Sequence, residues 1–136
     1  RLVESTMTPS EIVANHIKNN GLQTTPEQSL SEIKATLEQN PDAILVQIKD
    51  CLFLLKKEDD GSGLFYIFNG GTGIQYVKAI KEFVNQCRNA GFKFIKMYVS
   101  DKEVSQQLAE MVGVSNVSYE LDESRKTDPY LMIMEI

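Results

Sequence analysis

The sequence predicts an α/β (α+β) fold in which about four helices pack on a mixed sheet. Two segments with helical signals come first, followed by three short apolar segments that are joined by tight turns, as in an antiparallel meander. A helix-type segment then separates the third strand from the next, which predicts one parallel crossover. The 136 residues, 42% apolar and 24% charged, fit a single domain over residues 1–136.

The helices are predicted from their start and stop signals. Thr8-Pro9-Ser10-Glu11 supplies an N-cap, a proline at the first helical position and a capping-box glutamate. Thr25-Pro26-Glu27-Gln28 repeats this pattern, and Gly21 and Pro41 mark the two ends. Ser100-Asp101-Lys102-Glu103 is predicted to be a further capping box that opens the last helix.

The strands are predicted from apolar alternation and from the turn residues between them. The hairpin loops are expected at Asp50-Cys51 and at Glu58–Gly63. Beyond the third strand a helix is expected, followed by a strand, a helix and two final strands. The predicted segments after the two N-terminal helices are Ile44–Ile48, Leu52–Leu55, Leu64–Phe68, a helix over about Ile74–Ala90, Phe92–Val99, a helix ended by Gly113, Val114–Leu121 and Tyr130–Ile136.

The junction between the third strand and the third helix carries most of the functional information. The strand Leu64–Phe68 runs into Asn69-Gly70-Gly71-Thr72-Gly73, and the helix follows at once. The first N–H groups of a helix have no partner within it, and the positive end of the helix dipole lies behind them. Because glycines let a ligand come close, this turn is a candidate anion site.

Charge and composition exclude some classes of function. The net charge of −5 argues against general nucleic-acid binding. From Gly70 to Val104 there are six basic and three acidic residues, which suits an anion at the turn but also fits a solvated helix face. No apolar run approaches the roughly 20 residues that span a bilayer. Cys51 and Cys87 fit buried free thiols in a reducing, cytoplasmic compartment better than a disulfide, which stays open as the alternative. A chain that begins at Arg1 leaves a preceding targeting segment open.

Other chemistries lack their residues. Tyr76 stands where a dinucleotide fingerprint needs its third glycine, and no Gly-Lys-Ser/Thr of a P-loop is present. His16 is the only histidine, so triads and metal sites that need two are excluded. The run Glu58-Asp59-Asp60 fits a solvated hairpin loop better than a cation site. We therefore predict no metal site.

Three segments and the order of the elements resemble the GCN5-related N-acetyltransferase (GNAT) family. Gly71-Thr72-Gly73 is similar to the glycines of the family's [Gln/Arg]-x-x-Gly-x-[Gly/Ala] turn. Phe94–Val99 resembles the family's fifth strand, which splays from the fourth, and Leu108–Val114 resembles its LYEKLGF segment. The resemblance covers nearly the whole chain, and a short strand around Leu2–Glu4 would complete it.

The resemblance implies an acetyl-CoA-dependent transferase that acetylates a small-molecule or protein amine. A base is expected near the divergence of the two strands, where Glu58 and Tyr66 are the candidates, and Tyr98 is a candidate acid. Filling the core is the alternative role for both tyrosines. Oxyanion support is expected from a backbone N–H within Ile67–Asn69. The residues expected to hold the coenzyme are Phe68, Asn69, Gly70, Gly71, Thr72, Gly73, Ile74 and Gln75.

Departures from the family pattern support a second hypothesis. Phe68 stands where the family has Gln or Arg, and Ala109 stands where many members have a proton-donating tyrosine. Asp101 replaces a frequent asparagine. The alternative is a catalytically inactive binding or structural protein with the GNAT fold, for example one that is encoded by a phage and associated with its virion. A homo-oligomer formed through an exposed edge strand such as Tyr130–Ile136 also stays open.

Overall fold

The computed structural model describes residues 7–136, and the predicted strand around Leu2–Glu4 lies outside this range. Four helices and six strands are present in it, in the predicted order. They are α1 (Pro9–Asn20), α2 (Pro26–Gln39), β1 (Ile44–Ile48), β2 (Cys51–Lys57), β3 (Gly63–Asn69), α3 (Gly73–Asn89), β4 (Phe94–Val99), α4 (Lys102–Met111), β5 (Asn116–Leu121) and β6 (Tyr130–Glu135).

The two N-terminal helices begin where their caps predict. The Thr8 hydroxyl accepts from the Glu11 N–H and the Glu11 carboxylate accepts from the Thr8 N–H, so the capping box is complete. Gly21 ends α1 in the left-handed conformation, at φ 60°. The predicted capping box at Ser100 is wrong, because α4 begins one residue later. Its cap is Asp101, which accepts from the Val104 N–H.

The six strands form one mixed sheet in the order β1-β2-β3-β4-β6-β5. The first three make the predicted antiparallel meander, and β3 pairs with β4 in parallel through the α3 crossover. Only two pairs join β3 to β4, Gly63 with Ile95 and Leu64 with Lys96. The remaining residues of the two strands have no pairing with each other, so a gap opens between their carboxyl ends.

The last strand does not lie at an edge of the sheet. β6 pairs with β4 on one side and with β5 on the other. The expectation that Tyr130–Ile136 offers an exposed edge is therefore wrong, since the chain turns back after β5 and inserts its final strand. Among residues 7–136 the edges are β1 and β5.

The helices cover the sheet unevenly. α1 and α2 pack on the β1–β3 half of one face, around Ile12, Val13 and Leu52. On the other face α3 packs on β1 and β2, while α4 packs on β5 and β6, around Phe53, Phe65 and other core residues. The gap between β3 and β4 thus lies between α3 and α4.

Cys51 and Cys87 are both buried and form no disulfide, as the sequence indicates. Burial raises the pKa of each thiol to about 11, and Asp50 adds to this effect at Cys51. Both thiols are therefore protonated at neutral pH and are poor nucleophiles. No helix in residues 7–136 has the length and hydropathy needed to cross a membrane.

Candidate functional site

A slot with a volume of about 250 Å³ opens between α3 and α4, where β3 and β4 diverge. Its inner wall is apolar and comes from both strands, both helices and β6. Its mouth carries Ser100, Asp101 and Asp128. The apolar residues that line it include Phe65, Tyr76, Ile80, Met97, Leu108, Ala109, Val112, Met132 and Met134. The slot is therefore narrow, mostly apolar and polar only at its entrance, as ligand sites commonly are.

The first part of the glycine turn serves the fold and leaves no free group for a ligand. A Cβ at Gly70 would lie 2.8 Å from the Cα of Ile12, so only glycine lets α1 pack this close. The Gly70 N–H donates to the Asp50 carbonyl at 2.8 Å. The Gly71 N–H donates to Oδ1 of Asn69 at 3.0 Å. Both donors are thus engaged within the protein.

The second part of the turn is open. Among residues 7–136 no acceptor meets the N–H groups of Thr72, Gly73 and Ile74. A Cβ at Gly73 would have no atom within 4 Å. The Thr72 hydroxyl caps α3 through a bond of 3.4 Å from the Gln75 N–H. Three successive donors without a partner in residues 7–136, at the positive end of a 17-residue helix, are suited to bind an anion.

The side chain of Phe68 projects from the face of the sheet opposite the slot. Its ring packs with the α1–α2 core and meets His16 edge-on, with ring centroids 5.4 Å apart. Nδ1 of His16 accepts from the Asn69 N–H at 3.2 Å. Burial lowers the pKa of His16, so its ring is neutral and serves as an acceptor at the end of β3.

The gap exposes one strand amide to the slot. The Glu58 N–H donates to the Ser62 carbonyl, and the Gly70 N–H donates to the Asp50 carbonyl. Since hydrogen-bonded positions alternate along an antiparallel pair, the even-numbered residues of β3 bond to β2. Ile67 therefore directs its N–H toward β4, beyond the last β3–β4 pair. Of the predicted oxyanion donors Ile67–Asn69, Ile67 has an N–H that points into the gap.

Of the three predicted catalytic residues, Tyr66 and Tyr98 project from the face of the sheet opposite the slot, and Glu58 lies near Tyr66 in the β2–β3 hairpin. Tyr66 of β3 is 39% exposed, and Tyr98 projects from β4 on the same face. Burial is the largest cause that raises the pKa of Tyr66; Arg125 opposes it, and Tyr98 and Glu58 add to it. The guanidinium of Arg125 stacks on the Tyr98 ring, 3.7 Å from its centroid. The structure thus brings Tyr66, Tyr98 and Arg125 together over the gap, whereas Glu58 lies in the β2–β3 hairpin, toward the closed end of the gap.

Tyr76 is a slot residue that the sequence analysis names only as a departure from a dinucleotide fingerprint. It lies in the first turn of α3 and lines the slot beside Phe65 and Ile80. Burial, with a contribution from Cys51, raises the pKa of its phenol to about 12. Its hydroxyl makes no hydrogen bond within residues 7–136, and it is not fully buried, because no buried side-chain oxygen or nitrogen there lacks a partner. Tyr76 therefore presents a proton-carrying group on the same face as the slot.

A salt bridge holds the closed end of the gap. Nζ of Lys96 lies 3.2 Å from a carboxylate oxygen of Asp60, which ties the β2–β3 hairpin to β4. Hydrogen bonds from Ser62, with Lys96 nearby, lower the pKa of Asp60 to about 2. In the described part of the chain no group of three or more His, Cys, Asp or Glu side chains could hold a metal ion.

Sequence signals could reveal some of these residues and not others. Tyr76 shares helical spacing with Ile80 and Phe83, so its pattern indicates only a core position. Arg125 lies in a polar loop whose composition gives no hint that it reaches β4. His16 on an amphipathic helix carries no local sign that it meets a strand 53 residues away.

The chain matches no family model and no curated relative. It is similar to solved acetyltransferase structures. One is the microcin C7 self-immunity acetyltransferase in complex with acetyl-CoA and AMP, with a TM-score of 0.62 and 15% identity over 94% of this chain and 84% of that chain.

Two further structures match at nearly full length. A variant of spermidine N-acetyltransferase from Vibrio cholerae has a TM-score of 0.60 and 14% identity, over 99% of this chain and 94% of that chain. Ribosomal-protein-S5-alanine acetyltransferase from Vibrio fischeri has a TM-score of 0.60 and 14% identity, over 100% and 90%.

Proposed function

We propose, from the GNAT fold that these similarities show, that this protein binds acetyl-CoA in the slot and transfers the acetyl group to an amine. The observation that carries the proposal is the conjunction of two features. Free N–H groups at Thr72, Gly73 and Ile74 stand at the start of α3, and the apolar slot opens beside the same helix. An elongated ligand with an anionic part and a thin apolar arm fits both.

The residues present suit the coenzyme. The pyrophosphate would be held by the backbone of Thr72–Ile74, where no side chain fills the approach to Gly73. The pantetheine arm would lie along Phe65, Met97 and Leu108. Of the predicted binding residues, Gly70 and Phe68 would act by shaping the turn, since neither has a free N–H there.

Acetyl-CoA would supply an activated thioester, and the protein must move two protons. One proton leaves the acceptor nitrogen, for which Glu58 is the proposed base; Tyr66, with its raised pKa, stays protonated and would orient the acceptor. The other proton must reach the departing sulfur. Tyr98 was predicted for this role, but its ring lies on the face of the sheet opposite the slot. Tyr76, in the slot wall, is therefore a second candidate. The Ile67 N–H would stabilise the developing oxyanion.

One observation favours an inactive binding protein as the second candidate function. Ala109 lines the slot where many family members carry a tyrosine, and it cannot donate a proton. If neither Tyr76 nor Tyr98 replaces that donor, the slot would bind the coenzyme without efficient transfer.

Calorimetry with acetyl-CoA and a thiol-release assay over a panel of amines test the proposal. We expect saturable acetyl-CoA binding, and turnover with at least one amine. Tyr76→Phe and Tyr98→Phe then identify the acid: the loss of its proton should lower kcat about 100-fold without a change in acetyl-CoA affinity. Absence of binding at about 1 mM ligand, where even weak sites are populated, would contradict the proposed site. Binding without turnover of any amine would favour the inactive alternative.

A further inference from the structure

Arg125 occupies a distinctive position over the gap. It belongs to the loop between β5 and β6, yet its guanidinium lies on Tyr98 of β4 and close enough to Tyr66 of β3 to influence its pKa. Nε donates to the carbonyl of Asp128 at 3.1 Å, and Asp128 itself lines the mouth of the slot. The loop therefore holds this side chain across both diverging strands, where an acceptor must approach the slot.

The guanidinium has no ionic partner among residues 7–136. In residues 7–136 the salt bridges are Lys34 with Glu38 and Lys96 with Asp60. Arg125 contributes to the lowered pKa of Asp122, but the Asp122 carboxylate accepts hydrogen bonds from the N–H and the hydroxyl of Ser124. Nε is used by Asp128 and the Tyr98 ring lies beneath the guanidinium, and no group in residues 7–136 bonds to its two terminal nitrogens. An arginine held in this way is suited to bind a carboxylate through two parallel bonds.

The surroundings of Arg125 carry the opposite charge. Glu58 lies near Tyr66, and a depression beside Tyr98 is lined by Glu120, Asp122 and Glu123. A polyanion such as a phosphate ester would be repelled by these carboxylates, and a polycation would be repelled where one of its charges lies beside Arg125. A ligand that carries one ammonium and one carboxylate complements both.

We propose that the acceptor is a zwitterionic amine of the amino acid type and that Arg125 binds its carboxylate. The inference rests on the proposed function, because it assumes that the acceptor enters the gap from the Tyr66 and Tyr98 face. It separates this protein from the polyamine specificity named for the similar spermidine acetyltransferase. Arg125 is thus a specificity residue, and the ammonium end would lie toward Glu58 and Tyr66.

Direct binding tests the assignment without any turnover. Ligand-observed NMR would compare L-leucine with L-leucinamide and L-phenylalanine with L-phenylalaninamide, and spermidine would serve as the polycation. Each amide keeps the amine and the side chain but lacks the carboxylate. We expect both amino acids to bind at about 10 mM and to bind about 10-fold to 100-fold more tightly than their amides, as expected for charge-assisted hydrogen bonds.

Variants locate the effect. Arg125→Gln should abolish the preference for the carboxylate, and Arg125→Lys should restore only part of it because it lacks the planar fork. Lys126→Gln, which removes the neighbouring exposed charge, should change nothing. Equal binding of acid and amide, preferential binding of spermidine, no binding of either amino acid, or a preference that survives in Arg125→Gln would each overturn the inference.

Acetyl-CoA calorimetry on the same proteins separates the two proposals. Arg125 lies outside the turn at Thr72–Ile74, so acetyl-CoA should bind Arg125→Gln as it binds the unsubstituted protein. If acetyl-CoA binds neither protein, the proposed function fails, whereas the NMR comparison still decides whether Arg125 selects a carboxylate.

Discussion

The helices α3 and α4 both begin at the slot, but their N-termini are built in opposite ways. α4 begins with Asp101, whose carboxylate accepts from the Val104 N–H at 3.0 Å, and it has Glu103 in its first turn. α3 begins with the neutral Thr72 and is the only one of the four helices in residues 7–136 without an acidic residue in its first turn. One helix dipole is neutralised by its own sequence and the other is left uncompensated. This difference supports the proposal that the anionic part of a ligand binds at α3 rather than at α4.

Placing a carboxylate at the start of α3 should remove this difference. Gly73→Glu fits sterically, since nothing lies within 4 Å of a Cβ there. Its charge beside the open N–H groups should weaken acetyl-CoA binding by about 2 kcal/mol, or roughly 30-fold. Calorimetry measures the change.

Two controls isolate the charge. Gly73→Gln adds almost the same volume without charge and should bind acetyl-CoA several-fold more tightly than Gly73→Glu. Lys102→Glu places a carboxylate at the first residue of α4 and should leave binding within about 3-fold. Equal effects at α3 and α4 would contradict the comparison.

The two glycines of the turn should differ in stability. Gly70→Ala forces a methyl group to within 2.8 Å of the Ile12 Cα and should lower the free energy of unfolding by about 2 kcal/mol. Gly73→Ala should be neutral or slightly stabilising, because the position is open and α-helical. Urea unfolding measures both. A stable Gly70→Ala would show that α1 can move away from the turn at little cost.

The caps of the two helices should also differ. Asp101→Ala removes a charged acceptor and should cost about 1 kcal/mol of unfolding free energy. Thr72→Ala removes a bond of 3.4 Å and should cost about 0.5 kcal/mol. Denaturant unfolding of both variants at one pH checks the order, and a larger loss at Thr72 would mean that α3 is capped as firmly as α4.

The smallest expected effect concerns His16, at the strand end that precedes the open turn. Its pKa is lowered in the folded protein, so the unfolded chain takes up the proton first as the pH falls below about 6.5. Stability should then fall, because the protonated ring can no longer accept from the Asn69 N–H. His16→Asn keeps an acceptor at a similar position but does not titrate.

Thermal unfolding between about pH 7.5 and about pH 5 compares the two proteins. Below about pH 6.5 the unsubstituted protein should lose up to about 1 kcal/mol relative to the variant, while the acidic groups common to both cancel. Parallel pH profiles would mean that the His16 ring titrates as it does in the unfolded chain.

Local signals predicted the elements well, and they predicted the tertiary details poorly. Thr8, Thr25 and Gly21 act through neighbours three or four residues away, so the sequence around them determines the helix ends. The insertion of β6 between β4 and β5 depends on long-range pairing, which no local pattern encodes. The same limit explains why Gly70 looked like a ligand contact. Its close neighbour, Ile12, lies 58 positions earlier in the chain.

The site divides in the same way. The open N–H groups of Thr72–Ile74 lie where a strand ends in glycines and a helix begins, and this pattern can be recognised in the sequence. The proposed acceptor side depends on how the β5–β6 loop places Arg125 over β4, so its position could be found only from the structure. Tyr76 illustrates an intermediate case, since its position is evident from helical spacing but its unpaired hydroxyl is not.

The junction of β3 and β4 has a mechanical consequence. In residues 7–136 two residue pairs make up the β3–β4 ladder that joins the two three-stranded halves of the sheet, and the ion pair of Lys96 with Asp60 lies beside it. The sheet should therefore open locally most often between β3 and β4. Deuterium should replace the Ile67 amide proton faster than the amide protons of the β2–β3 ladder. A molecule that binds between the two strands would hold both halves of the sheet in place. It would slow the exchange of this amide proton and raise the melting temperature.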